Sequence, residues 1–265
     1  MQPGPIVGIV VALVAILLGN ALEGGHMASL VGGPAGLIVV GGTIGAVIVQ
    51  YPFSTLKAAL MAAGKTFKKP TLSGAKMVEE IVVYANRARR EGILSLERVA
   101  ASASDPFLAK ALMMAIDGAD SNALRETMEI SIGQYEEHGE DAVKVFEAAG
   151  GYSPTVGIIG AVLGLIHVMS NLSDINAVGK GIAAAFVATI YGVAVANILF
   201  LPVAGRIKLQ LREEVTLKEL ALVGVLAIQE GMNPKLVRER LSEFVHDHDS
   251  KKGAAAAPQA AAAPT

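Results

Sequence analysis

The chain has 265 residues, of which 52% are hydrophobic and only 17% charged, and its mean hydropathy is +0.51. That is too apolar for an ordinary soluble domain, and a net charge of −2 with no basic stripe among aromatics argues against a nucleic-acid surface. The absence of cysteine excludes disulfides, thiol catalysis and thiolate metal sites.

The apolar residues come in blocks long enough to cross a bilayer, which takes about 20 residues of helix. The first, Ile6 to Leu22, lacks a basic leading segment, and the NALEGGHM that follows is a poor cleavage site. It reads as a retained span rather than a signal peptide. Hydropathy places four spans, at 5–22, 34–50, 153–172 and 181–203. The short connections EGGHMASLVGGP and SDINAVGK make them two antiparallel hairpins.

Of the 22 lysines and arginines, only Lys180 falls in a hairpin connection; all others lie between residues 57 and 144 or after 205. The positive-inside rule makes those regions cytoplasmic, with both termini, in a multi-pass membrane protein. Glu23, His26 and Asp174 then lie on the far side. The plan is an all-α membrane protein with four transmembrane helices in two hairpins. A membrane hairpin (1–50) is followed by a helical cytoplasmic domain (51–150), a second hairpin (151–204), cytoplasmic C-terminal helices (205–250) and a disordered Ala/Pro tail (251–265).

Within the cytoplasmic domain, SGAKMVEEIVVYANRARREG sets Met77, Ile81, Tyr84, Ala85 and Ala88 at helical spacing and stops at Gly92. The next helix takes Asp105 as N-cap, Pro106 as first residue and Gly118 as its end. Leu124, Met128 and Ile132 share a face of the helix after it. Beyond the fourth span, RIKLQLREEVTLKELALVGVLAIQEG predicts an amphipathic helix ended by Gly231, with a restart at Asn233 and Pro234.

The spans are rich in small residues, with small-x-x-x-small spacings at Gly41–Gly45 and Gly160–Gly164. In lipid such faces let backbones approach closely, within this chain and against others. Thr43, Thr155, His167, Ser170, Thr189, Tyr191 and Asn197 are the polar side chains in or near the spans, and a hydroxyl there most often bonds back to its own helix. None of the spans has an aspartate, glutamate, lysine or arginine in its middle. Proton paths usually need such a group near the midplane, so either the chain conducts nothing or a partner brings the carboxylate. Enzyme readings find no support: there is no buried carboxylate pair, phosphate-binding glycine loop or metal-spaced His/Glu cluster.

Four motifs taken together resemble a known family. They are GGTIGA in the second span, ARREGILSLE in the cytoplasmic domain, VFEAAGGYSPTVGIIGAVLGLIHVM entering the third span, and GIAAAFVATIYGVAVANILFLPVAGRIK through the fourth. The chain, apart from its last dozen or so residues, is similar to the A subunit of bacterial flagellar stators, the MotA/PomA family within the MotA/TolQ/ExbB proton-channel group. That resemblance implies a homopentamer in the membrane lipid around two copies of a MotB-like single-span, peptidoglycan-binding subunit, which carries the ion-binding aspartate. It implies the rotor switch protein FliG as a further partner, and no cofactor.

Residue by residue, Pro154 and Pro202 match the family's two prolines, which couple ion passage to the cytoplasmic domain. Thr189 matches the threonine facing the partner's aspartate, and Arg89, Arg90 and Glu97 match the residues that meet the rotor. Sodium-type members carry threonines where this chain has Ala161 and Ala188, so the resemblance favours H+ over Na+. TolQ and ExbB relatives have a glutamate in the last span and three spans rather than four. An energy transducer and a non-conducting scaffold are the alternative readings.

Overall fold

The protein is described by a computed structural model, covering residues 3–68, 73–170 and 172–255. Among the described residues every regular element is helical, as expected. The principal helices are α1 (Pro3–Leu22), α2 (Gly33–Gln50), α3 (Phe53–Thr66), α4 (Gly74–Glu91), α5 (Pro106–Ile116), α6 (Ser121–Met169), α7 (Ile175–Gln229) and α8 (Pro234–Ala255). Four of them, α1, α2, α6 and α7, are long and apolar enough to cross a membrane. α8 takes in residues 251–255 of the expected tail; the rest of the tail lies outside the described residues.

The helix ends follow local chemistry. Asp105 Oδ1 accepts the Phe107 and Leu108 N–H groups at 2.8 and 3.2 Å ahead of α5. Asp174 caps α7 in the same way at 2.9 and 3.2 Å, and Asn233 accepts from Lys235 at 3.0 Å ahead of α8. Gly92, Gly118 and Gly231 all have positive φ, as chain reversals after helices require.

The sequence predicts a separate amphipathic helix beyond the fourth span; instead α7 runs unbroken through Pro202 to Gln229. α6 likewise runs unbroken through Pro154. In α6 Gly150 serves close packing rather than termination, since a Cβ there would lie 2.8 Å from Leu201 Cγ. In α7 a wide turn over Val195–Phe200, with the Leu201 N–H bonded to the Ala196 carbonyl, sits just ahead of Pro202. A proline ring crowds the carbonyl four residues back, and the extra room of a π turn relieves that crowding. α2 has a similar turn over Leu37–Gly41.

The chain forms two compact units, residues 1–69 with 137–211 and residues 70–136 with 212–265. The first holds the apolar helices. Its packed centres are Val47, Ala59, Ala142, Val145 and Ala149, and then Val143, Val203, Ala204 and Ile207. α1 is exposed on all sides, Val7, Val11 and Leu18 among its bare residues, as suits a helix solvated by lipid.

The second unit has a core like that of a soluble protein. Met77, Ile81, Leu108, Leu112, Leu124, Met128, Leu220, Val225 and Leu241 are all but inaccessible. The helical spacing read for α4 and for the start of α6 is the spacing that is buried, although Ala88 is only partly covered. Gly224 lets the helices close up, for a Cβ there would stand 2.8 Å from Ile81.

Polar ties surround this core. Glu80 accepts from the Tyr84 hydroxyl at 2.7 Å and from the Ser104 N–H at 3.0 Å, and also from the Ser104 hydroxyl. Lys218 lies over the Phe107 and Tyr135 rings, at 4.9 and 4.3 Å from their centroids, while the Tyr135 hydroxyl donates to Glu214. Burial pushes the Tyr84 and Tyr135 phenols up, and their carboxylate partners add to it.

Burial also raises the Glu80 carboxyl, but the hydrogen bonds from Ser104 and Tyr84 outweigh it and hold the group below 4.5. A depressed carboxyl contributes stability that is complete above its unfolded-state pKa and is lost as pH falls through the folded value. Glu80→Gln is expected to lower the Tm at neutral pH and to flatten the dependence of Tm on pH below about 5. Thermal melts of the detergent-solubilised protein at several pH values check this.

Candidate functional site

The third and fourth membrane-crossing segments lie against each other along a seam of small residues. On α6 these are Gly157, Gly160 and Gly164; on α7 they are Ala185, Ala188 and Gly192. A Cβ added at Gly157 would come within 2.9 Å of the Ala188 carbonyl and 3.2 Å of Gly192 Cα. One at Gly164 would meet Ala185 Cα and N at 3.2 Å, and one at Gly192 would meet the Ser153 carbonyl at 2.6 Å. The backbones themselves are therefore the packing surfaces. α2 closes on the same pair, with Ile38 beside Gly160, Val156 against Gly42, and Ala35 packed with Val187 and Ala188.

Gly160–Gly164 thus packs within the chain, whereas Gly41 and Gly45 have nothing within 4 Å of a would-be Cβ. Their small faces are left open. A second open face runs down α7, through Ile182, Phe186, Thr189, Val193 and Asn197, with Phe186 67% exposed.

Thr189 is half-buried on that stripe, next to the seam residue Ala188. Its hydroxyl makes a long 3.4 Å bond back to the Ala185 carbonyl, which leaves it free to turn to a stronger partner. Ala161, also half-buried, follows Gly160 on α6, whose would-be Cβ meets Ala188 on α7. Ala188 itself is 1% exposed and points at Gly160 rather than at the stripe. Pro154 lies in the seam, its Cα 3.2 Å from a Cβ on Gly192. Pro202 is exposed, ten residues beyond Gly192, and the structure does not bring the two prolines together.

Arg89, Arg90 and Glu97 belong to the other unit. The arginines end α4, where positive charge suits the helix C-terminus; Glu97 follows the positive-φ turn at Gly92. All three are exposed and none forms an ion pair among the described residues. Arg89 also edges a cleft of about 270 Å³ whose walls include Ala88, Ile93, Ala115, Ile228 and Met232.

The polar side chains of the spans divide. Thr155, Ser170 and Asn197 bond back to carbonyls three or four residues earlier, at 2.8, 3.1 and 2.9 Å, as hydroxyl and amide groups in membrane helices are expected to. Thr43 is 1% exposed, with its Oγ1 unpartnered. Tyr191 reaches away from its own helix: its hydroxyl donates to the Leu30 carbonyl at 2.7 Å and accepts the Gly32 N–H at 3.2 Å. Ser153, fully buried, was not singled out by the sequence; its hydroxyl donates across the seam to the Gly192 carbonyl at 3.0 Å. A serine just before an in-helix proline was the available signal. No group of three or more metal-ligating side chains occurs among the described residues.

Two family models match the chain: motility protein A N-terminal over residues 6–92, and the MotA/TolQ/ExbB proton channel family over residues 99–220. The chain is 33% identical over 253 residues to motility protein A of Bacillus subtilis (strain 168), covering 95% of this chain and 94% of that protein. Among solved structures it is similar to C. jejuni MotAB, with TM-score 0.88, 30% identity and coverage of 92% and 96% of the two chains. It is also similar to the flagellar MotAB stator complex from Bacillus subtilis, with TM-score 0.86, 33% identity and coverage of 94% and 98%.

The seam makes its own prediction. Gly192→Ala sets a methyl against backbone that has no side-chain end to yield, and such overpacking costs about 1–3 kcal/mol. The variant is expected to show a lower Tm and poorer yield in detergent than Gly164→Ala, whose added Cβ would meet its closest neighbours at 3.1–3.2 Å. Equal stability of the two would contradict the packing described.

Proposed function

Because the chain belongs to the motility protein A group of the MotA/TolQ/ExbB proton channel family, a group of flagellar stator subunits, we propose that it couples inward proton flow to torque on the rotor. The observation that carries this reading is a set of four spans with no acidic or basic residue in their middles, joined to an open stripe on α7 that presents Thr189. A conducting carboxylate must then come from a second protein, and a MotB-like single-span subunit supplies it. The solved relatives are MotAB complexes.

In this mechanism five copies of the chain surround two copies of the partner in the bacterial inner membrane, with both termini cytoplasmic. The open glycine face of α2 and the open stripe of α7 are the surfaces available to neighbouring chains. The partner's carboxylate meets Thr189, whose weakly held hydroxyl orders water or hydrogen-bonds the acid as it gains and loses a proton. Each protonation changes the fit of the partner's helix against the small-residue wall, and the ring steps around it. Pro154 and Pro202 lie where the helices have given up regular bonds and bend at least cost. Arg89, Arg90 and Glu97, unpaired and exposed, engage FliG.

The ion follows from oxygen supply. Sodium must exchange its hydration shell for several protein oxygens, yet Ala161 and Ala188 offer no hydroxyl, and Ala188 faces the seam. A proton needs only the carboxylate and a chain of water. No cofactor and no enzymatic step enter the mechanism.

Tethered-cell rotation in a stator-deleted strain expressing the chain with its cognate partner tests the reading. Rotation is expected to persist without sodium and to stop with a protonophore. Thr189→Ala should cut speed about tenfold or more, the size expected for loss of a group acting on the moving charge, with the membrane complex intact. Charge reversal at Arg89 and Arg90 should lower torque without lowering proton conduction. A strict sodium requirement would reassign the ion; a stable complex that never rotates would favour a scaffold or energy transducer.

A further inference from the structure

The seam between α6 and α7 is smooth. Glycine hydrogens and alanine methyls let two backbones touch, but they carry no directional group. Sliding α7 by a fraction of a turn, or rotating it about its axis, breaks no hydrogen bond along Gly157, Gly160, Gly164, Ala185 and Ala188. Thr189 must nevertheless point to one side. Its orientation has to come from directional bonds elsewhere on α7.

Among the described residues, two such ties join the membrane-crossing part of α7 to other segments. One is Ser153 Oγ to the Gly192 carbonyl at 3.0 Å, which ties α7 to α6 beside Pro154. The other is the Tyr191 hydroxyl. It donates to the Leu30 carbonyl at 2.7 Å and accepts the Gly32 N–H at 3.2 Å, so it holds the backbone on both sides of Val31. The ring lies on Gly36, where a Cβ would stand 3.5 Å from it. The phenol therefore fixes α7 to the start of α2 in both rotation and height.

Tyr191 follows Thr189 by two residues, about 200° around an α-helix. The two side chains leave α7 on opposite sides, and fixing the direction of one fixes the other. We infer that Tyr191 is the positioning residue for Thr189: its two bonds to the Leu30–Gly32 backbone set the rotation of α7 that turns the threonine toward the open stripe. Ser153 provides a second tie next to the proline. The positioning role rests on the reading of Thr189 as part of the ion path.

The absence of cysteine makes the rotation of α7 measurable. Val193 is 47% exposed and Ala196 0% exposed, three residues apart on the same helix. In the detergent-solubilised full chain without its partner, where the stripe is uncovered, N-ethylmaleimide is expected to label V193C much faster than A196C. Tyr191→Phe keeps the ring on Gly36 and removes only the hydroxyl. It is expected to narrow the V193C-to-A196C rate ratio by about fivefold, the scale of one or two net hydrogen bonds. Rotation speed per assembled complex should fall by a similar factor, and the external pH that gives half-maximal speed should shift.

An unchanged labelling ratio would overturn the proposal. So would a loss of rotation that only tracks loss of complex, with the pH profile unmoved, because that is the signature of a merely structural tyrosine. A narrowed ratio with normal rotation would separate Tyr191 from Thr189 and overturn the positioning role. Failure of the unmutated chain to rotate on any ion would remove the ion-path reading, and the positioning role with it; the labelling ratio would still show whether the phenol orients α7.

Discussion

Close approach of two backbones inside a membrane is the constraint on which the ion-handling unit depends. Lipid removes the hydrophobic force that drives helices together in water, so association must come from van der Waals contact and hydrogen bonds. At Gly157 and Gly192 the α6 and α7 backbones meet with no side chain between them. That contact puts the Ser153 hydroxyl within reach of the Gly192 carbonyl on the other helix. A larger residue in the seam would push the two helices apart and break this bond.

The two units solve the problem of stability by different physics. Residues 70–136 with 212–265 bury large side chains such as Met77, Leu108 and Leu220 in the manner of a water-soluble domain. They surround that core with charged and aromatic ties, among them Glu80 with Ser104, and Lys218 over Phe107 and Tyr135. In the other unit many large apolar residues face outward, as Val7, Val11, Leu18 and Phe186 do, while small ones such as Gly157, Gly164 and Ala188 line the helix contacts. The same preference for burial acts in both, with the solvent inverted.

Prolines and hydroxyls inside membrane helices are tolerated when the freed backbone groups find another arrangement. Pro202 follows a widened turn, and the Thr155 hydroxyl bonds back to Tyr152 one residue from Pro154. The motif GGYSP accordingly lies in the middle of a long helix. Its Gly150 and Ser153 serve contacts with Leu201 and Gly192 rather than a chain reversal. Residue-level propensity cannot distinguish those two uses of glycine, because both require only the absence of a Cβ.

Features that depend only on neighbours along the chain are legible without the fold. Four apolar segments, the caps at Asp105 and Asn233, the buried face of α4 and the glycine reversals are all legible within windows of a few residues. Thr189, Ala161, Pro154, Pro202, Arg89, Arg90 and Glu97 were legible only through family resemblance, since a lone threonine or a charge run has no distinguishing local pattern. Tertiary structure alone decided which of the many glycines touch, that Gly41 and Gly45 stay open while Gly157 and Gly164 close on α7, and that Tyr191 bonds a chain segment 161 residues away. The physical reason is that a small-residue helix offers several nearly equivalent faces. Only the directional bonds made by partners far along the chain select one of them.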